Sequence, residues 1–154
     1  MYDVVALGEI LIDFTSAGLS ENGNPLFEAN PGGAPANVLA CLAKLGRKTA
    51  FLGKVGADEF GRLLREVLAS RGISTRGLVL EEAAQTTLAF VHLHEDGDRS
   101  FSFYRSPGAD TLLRPEEVDR AQLTASIFHF GSLSLTHEPA RSATLAALHW
   151  AKER

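Results

Sequence analysis

The sequence lacks several features that mark particular classes of protein. It has one cysteine, Cys41, so no intramolecular disulfide can form and a disulfide-built fold is excluded. Its 15 basic and 19 acidic residues give a net charge of -4, and they form no basic stripe of the kind that binds nucleic acid. No run approaches about 18 consecutive apolar residues, so we expect no membrane span.

The N-terminal residues also lack the pattern of a targeting signal. A signal peptide places Lys or Arg before a long apolar run, whereas here Asp3 comes first and Gly8 and Glu9 soon end the run. No asparagine has Ser or Thr two positions later, so the sequence contains no N-glycosylation site. We therefore expect a soluble cytoplasmic protein that binds neither nucleic acid nor a membrane.

What the sequence does contain is an alternation of β-rich and helical segments over 154 residues, enough for one domain with a sizeable core. Residues 2–14 are rich in Val, Leu, Ile and Phe, and we expect one strand buried on both faces, with Asp13 near its C-terminal end. The segment 34–45 is apolar on almost all sides, so we expect a buried helix with Cys41 in the core. Further strands are expected at residues 26–30, 49–55, 78–80 and 127–130, and further helices after the capping residue Asp58 and over 138–152.

A hairpin interrupts this alternation. Residues 87–94 and 99–105 both alternate between the two faces of a strand, and the Glu-Asp-Gly-Asp sequence at 95–98 between them is typical of a hairpin turn. The order of elements predicts an α/β fold with a parallel sheet and flanking helices. The hairpin, together with residues 26–30, is expected to form a separate small β element.

Two glycines, Gly32 and Gly33, precede the first helix and carry the clearest signal for a ligand. A glycine pair lets a ligand approach the backbone, and the free amides of a helix N-terminus donate hydrogen bonds. Asn37 would offer both a donor and an acceptor at the same place, which suits a neutral polyol. A plain strand-to-helix junction with a cap would explain the glycines equally well.

Two further groups of residues could complete such a site. Asp13, at the end of its predicted strand, could accept hydrogen bonds from two adjacent sugar hydroxyls, although a strand-end Asp can also cap a loop. Phe101, Phe103 and Arg105 share one face of the hairpin and could close over a sugar and exclude water. The same hairpin could instead pack against the body of the protein or against a second subunit.

Together these residues resemble the N-terminal half of a ribokinase-like (pfkB) family carbohydrate kinase. The family's first signature is matched by Gly32-Gly33-x-Pro35-x-Asn37, then Gly46, then Gly56-x-Asp58-x-x-Gly61. The sequence departs from it at Leu39, where the family usually carries a small residue. The segments ALGEILIDF, FYRSPGADTLL and IFHFGSLSL are similar to fructokinases within that family.

The resemblance implies a ribokinase-like fold, with a partial Rossmann-like parallel sheet and a small β lid. Residues 1–154 would be the N-terminal part of a sugar kinase domain, truncated before its C-terminal half, with lid strands near 24–31 and 86–105. The residues implied to bind the sugar are Asp13, Gly32, Gly33, Asn37, Ala89, Phe103 and Arg105. The catalytic base and most of the residues for ATP and Mg²⁺ would lie in the missing half, so no catalytic or metal residue is expected here.

The implied reaction is ATP-dependent phosphoryl transfer to a hydroxyl of fructose or a related small-molecule sugar, with the isolated chain inactive and a homodimer formed through the hairpin. A 2-keto-3-deoxygluconate-type sugar acid is the alternative substrate, because Arg105 could bind a carboxylate. Against it, Ala89 and Phe103 lack the aromatic hydroxyls expected of such a site. Two different functions stay open for the chain: a sugar-binding fragment without catalysis, and an interaction protein that dimerises through the hairpin.

Overall fold

Two four-stranded sheets and three α-helices form the computed structural model, which describes residues 1–93 and 97–153. The strands are β1 (Tyr2–Leu7), β2 (Leu11–Leu19), β3 (Pro25–Gly32), β4 (Thr49–Gly56), β5 (Ser74–Glu81), β6 (Leu88–Leu93), β7 (Arg99–Tyr104) and β8 (Ala125–Phe130). The helices are α1 (Ala34–Lys44), α2 (Glu59–Ser70) and α3 (Ala140–Lys152). Short 3₁₀ turns occupy Ala109–Leu112, Pro115–Glu117, Arg120–Leu123 and Ser132–Leu135. No helix in this described part of the chain is both long and apolar enough to cross a membrane.

The first sheet is parallel throughout, in the order β5-β4-β1-β8. Val4 and Ala6 of the central strand β1 pack into one cluster with buried residues of α1 and α2. Val5 and Leu7 point the other way, into a second cluster with α3 and the 3₁₀ turns. The expected α/β class, with helices on both faces of a parallel sheet, is therefore confirmed.

Residues 2–14 do not form one strand, and that expectation was wrong. The chain leaves the parallel sheet after Leu7 and continues as β2 in the other sheet. At the break, Gly8 lies so close to Pro35 that a Cβ would be 2.6 Å from the Pro35 Cγ, and Glu9 turns toward the start of α1. Asp13 therefore belongs to the second sheet and not to a strand of the parallel sheet.

The second sheet is mixed, in the order β3-β2-β6-β7, and is called the mixed sheet below. β6 and β7 are antiparallel, which confirms the predicted hairpin, and β3 confirms the strand expected at 26–30. Residues 94–96, which include part of the predicted turn, lie outside the described residues. Because β2 joins the hairpin to β3, the hairpin is part of a four-stranded sheet and not an isolated ribbon.

The two faces of the mixed sheet differ in their surroundings. On one face, Phe14 stacks on Phe90 at 4.9 Å between ring centroids and meets Phe60 of α2 edge-on at 5.8 Å. Leu88 packs against the cluster of α1 and α2 from the same side. The opposite face carries Asp13 and is called the Asp13 face.

Helix α1 is buried on one side only, so the expectation of burial all round was wrong. Ala36 and Leu39 are buried in the cluster beneath the helix, which packs on β1 and β4. Val38 and Cys41 are exposed, because no element among the described residues covers that side of the helix. The core position expected for Cys41 is therefore corrected.

A buried lysine connects the parallel sheet to the 3₁₀ turns. The Lys54 ammonium, on β4, donates to Glu81 Oε2 at 2.9 Å, to Glu117 Oε1 at 2.7 Å and to the Leu112 carbonyl at 3.2 Å. These three acceptors use all three hydrogens of the ammonium group. The bonds fix the turn segment that follows the hairpin.

Candidate functional site

The strand register places several of the expected site residues in one row across the mixed sheet. Asp13 pairs with Asn30 on one side and with Ala89 on the other, and Ala89 pairs with Phe103. Residues paired directly across neighbouring strands point to the same face of a sheet. Asp13, Ala89 and Phe103 therefore share the Asp13 face, although they come from three different strands.

The Asp13 carboxylate lies directly over the backbone of Gly32. A Cβ at Gly32 would collide with Asp13 Oδ2 and lie 2.8 Å from Asp13 Cγ, so a larger residue there would displace the carboxylate. Burial raises the pKa of the Asp13 carboxyl above its ordinary value. Within residues 1–93 and 97–153, no donor makes a hydrogen bond to this carboxylate, so both oxygens are free to accept from a ligand.

Gly33 is required for a different reason. Its φ of +111° is one that side-chain-bearing residues rarely adopt, and a Cβ there would lie 2.5 Å from the Glu9 carbonyl oxygen. The glycine pair expected from the sequence thus brings the chain past both Asp13 and Glu9. α1 begins immediately afterwards, at Ala34.

Glu9 holds the start of α1 and was not identified from the sequence. It is only 5% exposed, and its Oε1 accepts from the Ala34 N–H at 3.1 Å. Its Oε2 is buried without a hydrogen-bond partner among the described residues and lies beside Gly131, at the end of β8. The available signal was an acid at a break in an apolar run, followed later by a helix with no side-chain cap of its own.

Asn37 lies on the exposed side of α1, one turn after Gly33. Its backbone N–H donates to the Gly33 carbonyl at 2.9 Å, so the helix and the glycine pair are directly connected. Its amide side chain is exposed to solvent. The structure thus keeps Asn37 beside the loop but not in the row that contains Asp13.

The two hairpin residues of the row have different environments. Ala89 is fully buried, so its small side chain shapes the floor of the face. Phe103 stacks on Phe101 at 5.9 Å between ring centroids, and the two rings remain 54% and 51% exposed. The alternation predicted for Phe101 and Phe103 on β7 is therefore observed.

Arg105 is not a free cation. Its Nη2 donates to Asp110 Oδ2 and its Nε donates to Asp110 Oδ1 at 3.3 Å, which makes a bidentate pair. The Thr87 hydroxyl also donates to Asp110 Oδ1, at 2.6 Å. Sequence reasoning singled out Arg105 but missed Asp110 and Thr87.

The second part of the glycine signature has a structural role. The Asp58 side chain accepts from the Gly61 N–H at 2.8 Å, and it accepts from both the N–H and the hydroxyl of Thr86, at 2.8 and 2.7 Å. A Cβ at Gly61 would collide with the Gly56 carbonyl. These contacts cap α2 and hold the chain just before it enters β6 of the mixed sheet.

ATP and Mg²⁺ are the groups that the resemblance implies. Among the residues the structure describes, no group of three or more His, Cys, Asp or Glu side chains is placed to hold a metal ion. The Asp58 carboxylate already accepts three hydrogen bonds within the protein. The residues in 1–93 and 97–153 therefore do not form a magnesium site, and no chemical step is assigned through that ion.

Comparison with known proteins gives a consistent result. The sequence model for the pfkB family carbohydrate kinases matches residues 1–154. The chain is 48% identical over 153 residues to probable fructokinase-3 of Arabidopsis thaliana, a match that covers 97% of this chain and 44% of that protein. Crystal structures of fructokinase from Xylella fastidiosa, without and with bound ATP, superpose with TM-scores of 0.91 and 0.90 at 39% and 38% identity. Each of these two structural matches covers 99% of this chain and 48% or 49% of the fructokinase chain. The chain therefore spans about half the length of the relatives it matches.

Proposed function

Because the chain belongs to the pfkB family of carbohydrate kinases, we propose that it forms the sugar-binding part of an ATP-dependent sugar kinase that acts on fructose. The observation that carries this proposal is the unpartnered Asp13 carboxylate on the face shared with Ala89 and Phe103. A carboxylate accepts from two adjacent hydroxyls, which is how a sugar is held in place. The relatives named fructokinase support fructose as the sugar.

Each of the other implied residues has a proposed role in binding. The backbone of Gly32 and Gly33 lines the sugar, and the Asn37 amide donates to or accepts from a hydroxyl. Ala89 leaves room above the sheet, and the Phe103 ring gives van der Waals contact and excludes water. The mixed sheet, with strands near 24–31 and 86–105, thereby acts as a lid of a kinase domain whose N-terminal part is residues 1–154.

Phosphoryl transfer depends mainly on positioning and on stabilisation of charge. This chain would hold the acceptor hydroxyl in place and keep water from the reaction. ATP with Mg²⁺ would supply the transferred phosphoryl group, and we propose that the residues for both, together with the catalytic base, belong to the part of the family's length beyond residue 154. The relative with bound ATP supports the use of ATP.

A neutral sugar fits this site better than a sugar acid. A sugar acid would need a free cation on the Asp13 face, and the guanidinium of Arg105 is already paired with Asp110. Arg105→Lys keeps a positive charge but cannot make both bonds to Asp110, so we expect it to weaken activity on fructose. A kcat/KM for 2-keto-3-deoxygluconate greater than that for fructose would overturn the substrate assignment and leave the family unchanged.

The test uses two samples. A polypeptide that carries this chain followed by the rest of the family's length should release ADP from ATP only when fructose is present, in a coupled assay. The 154-residue chain alone should show no turnover above background. Failure of the longer polypeptide to phosphorylate fructose, or turnover by the isolated chain, would contradict the proposal.

The assembly and location are also proposed. The exposed rings of Phe101 and Phe103 support a homodimer formed through the mixed sheet. A cytoplasmic location stays a prediction from the sequence, and the free thiol of Cys41 is compatible with a reducing compartment.

A further inference from the structure

We propose that Asp110 is a positioning residue, which fixes the direction of Arg105 and neutralises its charge so that the Asp13 face selects a neutral sugar over a sugar acid. The inference rests on the proposed function, because it concerns the choice of substrate at the same site. Neither Asp110 nor its partner Thr87 was identified by sequence reasoning. Their relation to Arg105 is visible only from the contacts in the folded structure.

The pair is buried and well ordered by its neighbours. The side chain of Asp110 is 3% exposed and that of Arg105 is 14% exposed. The two guanidinium nitrogens Nε and Nη2 each face one carboxylate oxygen, and the Thr87 hydroxyl makes a third bond to the same carboxylate. A planar guanidinium held by two bonds has one orientation, unlike a lysine ammonium at the end of a flexible stem.

The position of the pair follows from the strand register. Thr87 directly precedes β6 and Arg105 directly follows β7, two residues from Ala89 and Phe103, so alternation continued past the strand ends would place both side chains on the Asp13 face. Their common contact with Asp110 agrees with this placement. The Arg105–Asp110 pair thus lies at the end of the hairpin, beyond the paired residues Leu88 and Tyr104.

Gly108 shows how closely the pair is enclosed. A Cβ at this position would collide with the Thr87 hydroxyl and lie 2.8 Å from both Arg105 Cγ and Asp110 Oδ1. A side chain at residue 108 would therefore displace the carboxylate or the arginine. Gly108, just before the 3₁₀ turn Ala109–Leu112, therefore helps to enclose the Arg105–Asp110 pair.

The pairing determines what Arg105 can offer to a ligand. Of the five N–H groups of a guanidinium, Asp110 engages two, and the remaining ones can donate to hydroxyl oxygens. A ligand carboxylate at the same place would meet the negative charge of Asp110, which offsets the attraction of the arginine. A sugar hydroxyl carries no charge, so the negative charge of Asp110 does not repel it.

The experiment compares two substrates in the longer polypeptide, which carries this chain and the rest of the family's length. In Asp110→Asn the amide oxygen can still accept from Thr87 or Arg105, but the negative charge is gone. We expect the ratio of kcat/KM for 2-keto-3-deoxygluconate to that for fructose to rise by about tenfold or more. The change should appear mainly as a higher KM for fructose and a lower KM for the sugar acid, with a smaller change in kcat.

Glu138→Gln is the matched control, because it removes a carboxylate that is also paired with an arginine, Arg141, just before α3 and away from the mixed sheet. It should leave the substrate ratio unchanged, even where it lowers stability. Should Asp110→Asn not fold, Thr87→Val removes only the hydroxyl that holds Asp110 and should shift the same ratio in the same direction. An unchanged ratio in the folded variant overturns the role of Asp110 while fructose phosphorylation by the wild type stands, whereas loss of that wild-type activity overturns the proposed function itself.

Discussion

At the scale of the residue, the carboxylate of Asp13, which we propose binds the sugar, has a cost in stability. Burial raises the pKa of its carboxyl, so the folded chain holds this proton more tightly than the unfolded chain does. The stability that comes from the protonated form is present below the ordinary carboxyl pKa of about 3.9 and is lost as the pH rises through the higher pKa of the folded state. At neutral pH the charged carboxylate therefore destabilises the ligand-free protein.

We predict that Asp13→Asn raises the Tm of the ligand-free chain at neutral pH, with no gain at acidic pH.

Asp13→Ala should leave the fold intact and weaken fructose binding by roughly 2–4 kcal/mol, because hydrogen bonds to charged groups are the stronger kind. Calorimetric titration with fructose measures the binding of Asp13→Ala. Thermal melts across the pH range measure the Tm of Asp13→Asn. Asp3→Asn is the control, since Asp3 accepts from the Lys48 N–H at the far end of β1. A lower Tm for Asp13→Asn would show that the carboxylate has a stabilising partner.

A second prediction at this scale concerns Glu9. Glu9→Ala removes the acceptor for the Ala34 N–H at the start of α1 and should lower the free energy of unfolding by about 1–3 kcal/mol. Glu9→Gln keeps an acceptor oxygen and should recover most of that loss. Urea denaturation of both variants measures the difference. Equal losses in the two variants would mean that the charge, and not the hydrogen bond, matters at this position.

At the scale of the element, the sequence predicted most strands and helices but not the change of sheet at Gly8. Gly8 and Glu9 interrupt residues 2–14, but apolar residues follow at once on both sides, because β1 and β2 both bury hydrophobic side chains. At the break, Gly8 closely approaches Pro35, a residue far along the chain. A tertiary contact of this kind leaves no local periodicity that could reveal it.

For Asp58, by contrast, a local sequence signal predicted the helix cap correctly, and the structure shows a second contact with Thr86. It caps α2, as the sequence predicted, and it also holds Thr86 before β6. Burial raises the pKa of its carboxyl, but the hydrogen bonds from Thr86 and Gly61 outweigh this and the pKa is lowered overall. The stability from the charged form is thus present above about pH 4 and is lost as the pH falls through the lower pKa of the folded state.

We predict that Asp58→Ala lowers the free energy of unfolding by about 1–2 kcal/mol at neutral pH, the usual effect of losing a helix cap. The difference from the wild type should shrink as the pH falls below about 4, because the wild-type carboxylate is then protonated. Chemical denaturation at neutral and acidic pH tests this. Glu59→Ala, one residue later on the exposed surface, is the control and should have a much smaller effect. A difference that stays constant with pH would contradict the role of the charge.

At the scale of the whole molecule, the candidate site depends on how the two sheets meet. Resemblance to a family nominated Asp13, Ala89 and Phe103, but only the register of β2, β6 and β7 shows that they form one row. The pairing of Arg105 with Asp110 was equally out of reach, because alternation fixes the face of a side chain and not its partner. Sequence patterns thus locate candidate residues, while cross-strand contacts decide which of them act together.

The last prediction concerns the surface of the mixed sheet. The apolar residues of the hairpin divide between two faces of the sheet. Leu88 packs against the cluster of α1 and α2 and Phe90 stacks on Phe14, whereas Phe101 and Phe103 remain exposed on the Asp13 face. Burying two exposed rings removes apolar surface from water at about 25 cal/mol per Å², which favours association. We expect a species of twice the 16.6 kDa chain mass in light scattering, and we expect Phe101→Ser to weaken its association. Leu63→Ser, at an exposed apolar position on α2, is the control and should leave the dimer mass unchanged. A monomer at high concentration would contradict the proposed interface.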